Sequence, residues 1–389
     1  MKKFKLLIHH HAVAYQAASK DIYLPAFIGR WVNTLAEHVD EIGLLLYESD
    51  ALLPQQEEII SKVNVTLWSL GPPGRMWDRI PRMRRLRKVC RQASQDADGL
   101  LIRGVTPRQL SVWKHTRVLN KAFLLVGSLL ETRPVIKPTF WGIYEAFIQR
   151  WRKAEVLEMG KHGILMANSP LLVDELAVLN RVASFVPTNT ISLNEFPPFH
   201  VRELSNPRKV LFCGRVVPEK GIKELIHAIA LLNRSQPYVL DIVGPVESSF
   251  RHELDRMSNE LGVSKNINWH GRISYGNELM AFYQNADVFV LPTYFEGFPH
   301  VIWEAAANCC PVITTRVGGI PALWKEGKHG ILIPPKNSAS IVEALETLFG
   351  DKTLRALLVE NAYAYSKGFT VESCVIRLVN TLRDHDWAL

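Results

Sequence analysis

Short runs of continuous apolar residues, each followed by an amphipathic stretch, recur along most of the chain. In the first half these runs are FKLLIHH, EIGLLLYES, VNVTLWSL, GLLIRG, AFLLVGS, GILMANS and SFVPTN. Helical patterns lie between them, the clearest carrying Leu24, Phe27, Ile28, Trp31 and Leu35 at i, i+3, i+4 spacing. A strand that is apolar throughout needs cover on both faces. Runs of this kind alternating with helices therefore predict a parallel sheet between two helical layers. Around residues 188–207 the alternation breaks into irregular, proline-containing sequence, which marks a domain boundary. A second series follows, VLFCG, YVLDIVG, INWHG, DVFVLPT, PVITT and GILIPP, each trailed by a helical pattern. The expected fold class is α/β, with two doubly wound, Rossmann-like domains at residues 1–190 and 206–368. Such domains face one another across a cleft lined by the carboxyl ends of both sheets.

Two segments of the second series carry candidate chemistry. The stretch LPTYFEGFPHVIWEAAA, residues 291–307, places Glu296 and Glu304 eight residues apart across Gly297, Phe298 and Pro299. An apolar strand ends there and a helix begins, with Pro299 suited to its first turn. The free amides of such a turn point at an anion such as a diphosphate. Glu296 in the loop can accept hydrogen bonds from sugar hydroxyls, and Glu304, two turns on, from a ribose. Taken alone, the spacing reads rather as a strand, a turn and a core helix with two incidental glutamates. The second segment, KVLFCGRVVPEKGIKELIHAIALL at residues 209–232, reads as a buried strand, a glycine turn and an amphipathic helix. That helix has Ile222, Leu225, Ile226, Ile229 and Leu232 on its apolar face. Arg215 and Lys220 flank the loop entering it. Two cations at a helix start suit a diphosphate, since charge-assisted hydrogen bonds contribute about 1.5–3 kcal/mol each; singly, each is an ordinary surface charge.

In this order and about 80 residues apart, the two segments resemble the retaining glycosyltransferases of family 4, which have the GT-B fold. The matching residues are Gly214-Arg215, Pro218-Glu219-Lys220-Gly221 and Glu296-Gly297-Phe298-Pro299 through Glu304-Ala305. Thr314-Thr315 and Val317-Gly318-Gly319-Ile320-Pro321 then follow a predicted strand, as in the family. The resemblance is dense over roughly residues 208–345 and only at pattern level before that. It implies a nucleotide-sugar-dependent hexosyltransferase, with UDP-glucose the first guess for the donor. The acceptor would be a saccharide or a lipid-linked saccharide in polysaccharide or glycoconjugate biosynthesis. It further implies that Arg215 and Lys220 hold the diphosphate, Glu296 the sugar and Glu304 the ribose. Gly214, Gly297, Phe298, Pro299, His300 and Val301 line the donor, and Arg272 and Ile273, after the strand INWHG, meet the nucleobase. Arg215, Lys220 and the helix amides neutralise the leaving diphosphate, so no metal or cofactor is expected. As in GT-B enzymes, a last helix within residues 369–389 is expected to cross back and brace the N-terminal domain.

The N-terminal domain is expected to bind the acceptor. His9, His10 and His11 close its first strand at the carboxyl end, with successive side chains on opposite faces, so at least one is expected to be packing. His10 and His11 are the acceptor-side candidates. The loop expected after them, AVAYQAASKDIY, lacks the glycine pair common in the family. Where relatives often carry a histidine after the fourth strand, the chain reads LLIRGVTPRQ, so Arg103 or Thr106 takes that place. Arg103 would bind an acidic or phosphorylated acceptor, or pair with a structural carboxylate. After Gly-Gly-x-Pro, Ala322 replaces the family's usual glutamate.

Size and charge narrow the remaining possibilities. The chain has 389 residues, enough for two ordinary domains, and a formal net charge of +8. Residues 75–91, RMWDRIPRMRRLRKVCR, concentrate eight cations and one acid, interleaved with Met76, Trp77, Ile80, Met83 and Leu86. Such a helix either lies on an anionic membrane surface or presents a solvated face above an apolar stripe in the core. No nucleic-acid-binding module is recognisable, and nucleic acid is not an expected partner. No apolar run reaches the length of a membrane span. The start MKKFKLLIHHH has a signal-like basic end, yet it runs straight into the first strand pattern, and its histidines make a poor signal core. A cytoplasmic protein is expected, peripheral at the inner face of the membrane if the basic helix docks there. Five cysteines without a C-x-x-C pair give neither a disulfide frame nor a zinc site. Asp96-Ala97-Asp98 precedes a strand and Asp384-His385-Asp386 lies near the last residue, so neither Asp-x-Asp is read as a ligand set. Two other classes remain: a UDP-sugar epimerase of the same fold, and a non-catalytic scaffold or membrane-binding protein.

Overall fold

The structure, a computed structural model, describes residues 3–73, 79–106, 108–126, 140–179 and 182–389, the side chains of 79–81 and 140–149 excepted. The chain divides into two compact units, residues 1–190 with 371–389, and residues 191–370.

In the first unit the strands are β1 (Lys5–Gln16), β2 (Ile22–Leu24), β3 (Glu41–Glu48), β4 (Glu58–Ile60), β5 (Val65–Ser69), β6 (Gly99–Arg103), β7 (Asn120–Leu125), β8 (Ile164–Ala167) and β9 (Ser184–Phe185). Its helices in this stretch are α1 (Ala26–Leu35), α2 (Arg79–Ala93), α3 (Gln109–His115), α4 (Phe140–Met159) and α5 (Pro170–Val178). The parallel sheet runs β5-β3-β1-β6-β7-β8-β9, with β1 an inner strand pairing both β3 and β6. One face packs Leu6, Ile8 and Leu101 under Ile28, Trp31, Val32 and Leu35 of α1. The other packs Leu7, Leu100 and Ile102 against Leu86, Cys90 and Ala93 of α2. Each fully buried Leu or Ile here contributes about 1.5–3 kcal/mol.

The segment Ala12–Tyr23 departs from expectation. It is not a loop: β1 continues through a register shift after His9 to Gln16, and β2 returns antiparallel, with Tyr15 opposite Tyr23. β4 then pairs with β2. The cause is a period-2 pattern, in which Ala12 and Ala14 are buried while Val13 and Tyr15 are half-buried. Leu24 accordingly belongs to β2, and α1 starts only at Ala26, behind Pro25.

The second unit contains β10 (Arg208–Cys213), α6 (Ile222–Leu232), β11 (Tyr238–Val243), α7 (Ser248–Glu260), β12 (Ile267–Gly271), α8 (Asn277–Asn285), β13 (Val288–Leu291) and α9 (His300–Ala307). It continues with β14 (Val312–Thr315), α10 (Ile320–Leu323), β15 (Ile331–Ile333), α11 (Ser338–Gly350) and α12 (Lys352–Ser366). Its sheet is parallel throughout, in the order β12-β11-β10-β13-β14-β15. That is the doubly wound order, and it reverses direction between β10 and β13. The irregular segment before β10 is fastened to this unit. Tyr363 donates its hydroxyl to the Pro197 carbonyl at 2.8 Å, and Asp287 accepts from the Ser205 and Lys209 amides.

A final helix, α13 (Val371–Arg383), lies in the first unit, where Val371, Val375, Leu378, Val379 and Leu382 join the cluster that holds Trp31.

Candidate active site

In a doubly wound sheet, ligands bind beyond the carboxyl ends of the strands where the order reverses. Here that point lies between β10 and β13, and the loops leaving these two strands carry both sequence motifs. The β10 loop holds Gly214, Arg215 and Lys220; the β13 loop holds Glu296 through Pro299. They are tied together by backbone. The Tyr294 amide donates to the Glu219 carbonyl at 2.8 Å, and the Thr293 hydroxyl donates to the same oxygen at 3.2 Å. Gly221, with φ +70°, passes so close that a Cβ there would lie 2.0 Å from the Pro292 carbonyl oxygen. Only glycine fits that crossing. The next loop joins through the Gly319 amide, which donates to the Glu296 carbonyl at 3.3 Å, and the Thr315 hydroxyl, which donates to Thr293 O at 2.6 Å.

This frame brings the Lys220 ammonium onto Glu296 Oε1 as an ion pair. Burial pushes the Lys220 pKa down to about 8, and the nearby Arg215 guanidinium adds to the effect. The Arg215 side chain is exposed and makes no hydrogen bond or ion pair with another of the described residues. The site therefore presents one paired and one unengaged cation beside a carboxylate. Phe298 is buried with its ring 4.7 Å from Trp303, which anchors the turn into α9. Pro299 stands at the N-cap rather than inside the first turn, so the helix begins at His300. His300 and Val301 are half-buried. Glu304, on the second turn, is 6% exposed and accepts from the Tyr283 hydroxyl at 2.8 Å. Arg272, exposed, and Ile273, half-buried, follow β12, two strands from β10 in the same sheet.

The acceptor-side candidates lie in the other unit and are more enclosed than their sequence position implies. His10 and Arg103 are 3% and 2% exposed. Arg103 lies 4.8 Å from the Trp31 ring and donates to the Phe27 carbonyl at 3.4 Å, so its head is held under α1, with no carboxylate paired to it among the described residues. Burial lowers its pKa to about 10, leaving it charged at neutral pH. His11 is exposed, its ring 4.1 Å from that of His10. Thr106 is buried, with a hydroxyl oxygen that has no hydrogen-bond partner among the described residues. In α2 the charges divide by face: Arg84, Arg85, Arg87, Lys88 and Arg91 are exposed, and Leu86, Cys90 and Ala93 are buried. Met76, Trp77 and the Ile80 side chain, also named for this stretch, lie outside what is described. Among the described residues no helix is long and apolar enough to cross a membrane.

Sequence reasoning missed the polar cluster around Glu304. Tyr283, on the buried face of α8, and Cys213, the last residue of β10, both read as core. The available signal was a tyrosine where the helical pattern needs only an apolar ring.

The chain is similar to known proteins in sequence over part of its length and in fold throughout. The family model described as Glycosyl transferases group 1 matches residues 196–365. The D-inositol 3-phosphate glycosyltransferase of Corynebacterium efficiens is 36% identical over 177 residues, 43% of this chain and 42% of that protein. The chain thus matches about half or less of the length of such curated relatives. Sucrose-phosphate synthase from Thermosynechococcus elongatus superposes with a TM-score of 0.74 at 15% identity, covering 99% of each chain. A glycosyltransferase from Rickettsia africae gives 0.73 at 15% identity over the whole of both chains. Residues 196–365 of this chain thus match the group 1 glycosyl transferase family, and the two units share the GT-B fold of these solved structures.

Proposed function

We propose that the protein is a retaining hexosyltransferase that uses a nucleoside diphosphate sugar, UDP-glucose first, and glycosylates a saccharide or lipid-linked acceptor. The observation that carries this reading is the convergence of Arg215, Lys220 and Glu296 where the sheet order reverses between β10 and β13. Arg215 and Lys220 hold the diphosphate and stabilise the negative charge that grows on it as the bond from sugar C1 to phosphate oxygen breaks. Glu296 accepts hydrogen bonds from the hexose hydroxyls, and Glu304 from the ribose. The acceptor, held by the N-terminal unit, forms its new bond to C1 on the side the phosphate leaves, and its hydroxyl proton passes to the departing phosphate oxygen. Retention in glycosidases relies on a second carboxylate as nucleophile. Glu296, engaged by Lys220, is instead a hydroxyl-binding group, so positioning and charge stabilisation carry the rate. The exposed cations of α2 support a further element of the reading: peripheral docking on the anionic inner face of a membrane.

The test is a calorimetric screen of UDP, GDP, ADP and their sugars, with and without Mg²⁺. Saturable binding of UDP and a UDP-hexose supports the reading; silence across the panel sinks it and favours a non-catalytic scaffold. Consumption of UDP-N-acetylglucosamine with no acceptor present would instead identify an epimerase.

A further inference from the structure

Glu304 is held by a partner that no sequence motif marks. Tyr283, on α8, is fully buried, and its hydroxyl donates to Glu304 Oε2 at 2.8 Å. The Cys213 thiol at the end of β10 is a close electrostatic neighbour of that same hydroxyl. The ring is fixed edge-on against Phe289 of β13, centroids 5.7 Å apart. Phenylalanine would fill this space as well, so packing alone does not account for the oxygen. A buried hydroxyl needs a partner, and an ionised carboxylate can only accept. Burial and the adjacent Cys213 and Glu304 raise the Tyr283 pKa well above its ordinary value, so Tyr283 keeps its proton and remains the donor. Glu304 sits on the second turn of α9, one helical turn beyond the loop that carries Glu296. A glutamate side chain has three torsions, and one oxygen pinned by a rigid phenol restricts where the carboxylate can point.

We propose that Tyr283 is a positioning residue for nucleotide recognition: its hydroxyl orients the Glu304 carboxylate toward the ribose 2′ and 3′ hydroxyls, making the site selective for ribonucleotides over 2′-deoxyribonucleotides. The inference rests on the reading of Glu304 as the ribose-binding glutamate.

The experiment titrates UDP, 2′-deoxy-UDP and pyrophosphate into wild type, Tyr283→Phe and Glu304→Ala. Wild type is expected to prefer UDP over 2′-deoxy-UDP by about tenfold, the scale of one hydrogen bond to a charged group. Tyr283→Phe should shrink that ratio to about two- or threefold while pyrophosphate binds as before, since only the oxygen that aims Glu304 is removed. An undiminished ratio in Tyr283→Phe overturns the proposal, because a hydroxyl that only satisfies the core cannot change how a ribose hydroxyl is read. Tyr283→Met, which also lacks the hydroxyl, is held to the same ratio should the phenylalanine variant fail to fold. Failure of the underlying reading looks different: wild type binds no UDP, or Glu304→Ala keeps the full preference, and either result overturns this inference with it.

Discussion

Lys220 and Glu296, from loops leaving neighbouring strands, form an ion pair in which the two side chains are only 15% and 16% exposed. Each neutralises the other, and on the proposed reading the ammonium takes a diphosphate and the carboxylate sugar hydroxyls. Removing either partner therefore acts in opposite directions on nucleotide binding. Lys220→Ala should weaken UDP by about 1.5–3 kcal/mol, the value of a charge-assisted hydrogen bond. Glu296→Ala should abolish transfer while UDP binds at least as tightly as to wild type, because the ammonium is released. Calorimetry with UDP alone, alongside a transfer assay, separates the two. Weakened UDP binding in Glu296→Ala would show that the pair organises the loop rather than competing with the ligand.

The same lysine sets a pH dependence. Its pKa is lowered to about 8, chiefly by burial. A diphosphate favours the charged form and raises that pKa in the complex. UDP affinity is thus expected to be level below pH 7 and to fall as pH rises through 8, by up to about tenfold per pH unit until the complex also deprotonates. Lys220→Arg stays charged throughout and should flatten the curve. Dissociation constants between pH 6.5 and 9.5 decide it, and a flat wild-type profile removes Lys220 from the phosphate site.

Acid should act on the other unit. His9 is buried, its Nδ1 2.7 Å from the Leu45 carbonyl oxygen, and burial lowers its pKa to about 4. Burial also lowers His10, and the nearby His11 and Arg103 charges add to this. These groups bind fewer protons folded than unfolded, so their stability contribution is complete above pH 6.5 and is lost as pH falls toward 4. Each tenfold weakening of proton affinity on folding corresponds to about 1.4 kcal/mol. Denaturant unfolding at several pH values between 7.5 and 4.5 should show that decline, and His10→Asn should reduce its slope.

Two glycines with nearly the same backbone angle separate strain from collision. Gly221 has φ +70° with the Pro292 carbonyl in the way, whereas Gly262 has φ +73° with open space around it. Gly262→Ala should cost about 1–2 kcal/mol, the left-handed penalty of an L-residue. Gly221→Ala bears that cost plus the forced separation of the two site loops, and should lose UDP binding as well as stability. Equal destabilisation of the two variants, with UDP binding intact in both, would mean that the loop crossing is not needed for the site.

How legible these features were in the sequence depended on distance along the chain. The α6 face was readable to the residue, since Ile222, Leu225, Ile226, Ile229 and Leu232 are all buried. Helical period is a local property, and these residues are large. The strands of the second sheet were readable for the same reason. The β1–β2–β4 extension was not, because its pairing joins Leu24 to Glu58 and its alternation is carried by alanines, which give little contrast. The enclosure of His10 and Arg103 was not readable either, because a run of apolar residues does not show which helix will cover a strand end. Tyr283 was hidden by its own ring, which makes it look like core.

The basic helix gives the last prediction. The side chains of Leu86, Cys90 and Ala93 are buried, while Arg84, Arg85, Arg87, Lys88 and Arg91 are exposed. Apart from Arg85, whose guanidinium reaches the Ser69 hydroxyl at 3.5 Å, these cations lie off the face that α2 packs with, and replacing them should leave the fold intact. Each cation close to an anionic bilayer contributes about 1 kcal/mol, a contribution that salt screens. Wild type is expected to sediment with phosphatidylserine-containing vesicles at low salt, and less with neutral ones. Substituting Arg84, Arg85, Arg87 and Arg91 together by Gln should release it while leaving UDP affinity unchanged. If wild type ignores anionic vesicles even at low ionic strength, the charges are an ordinary solvated face and the membrane element of the functional reading is lost.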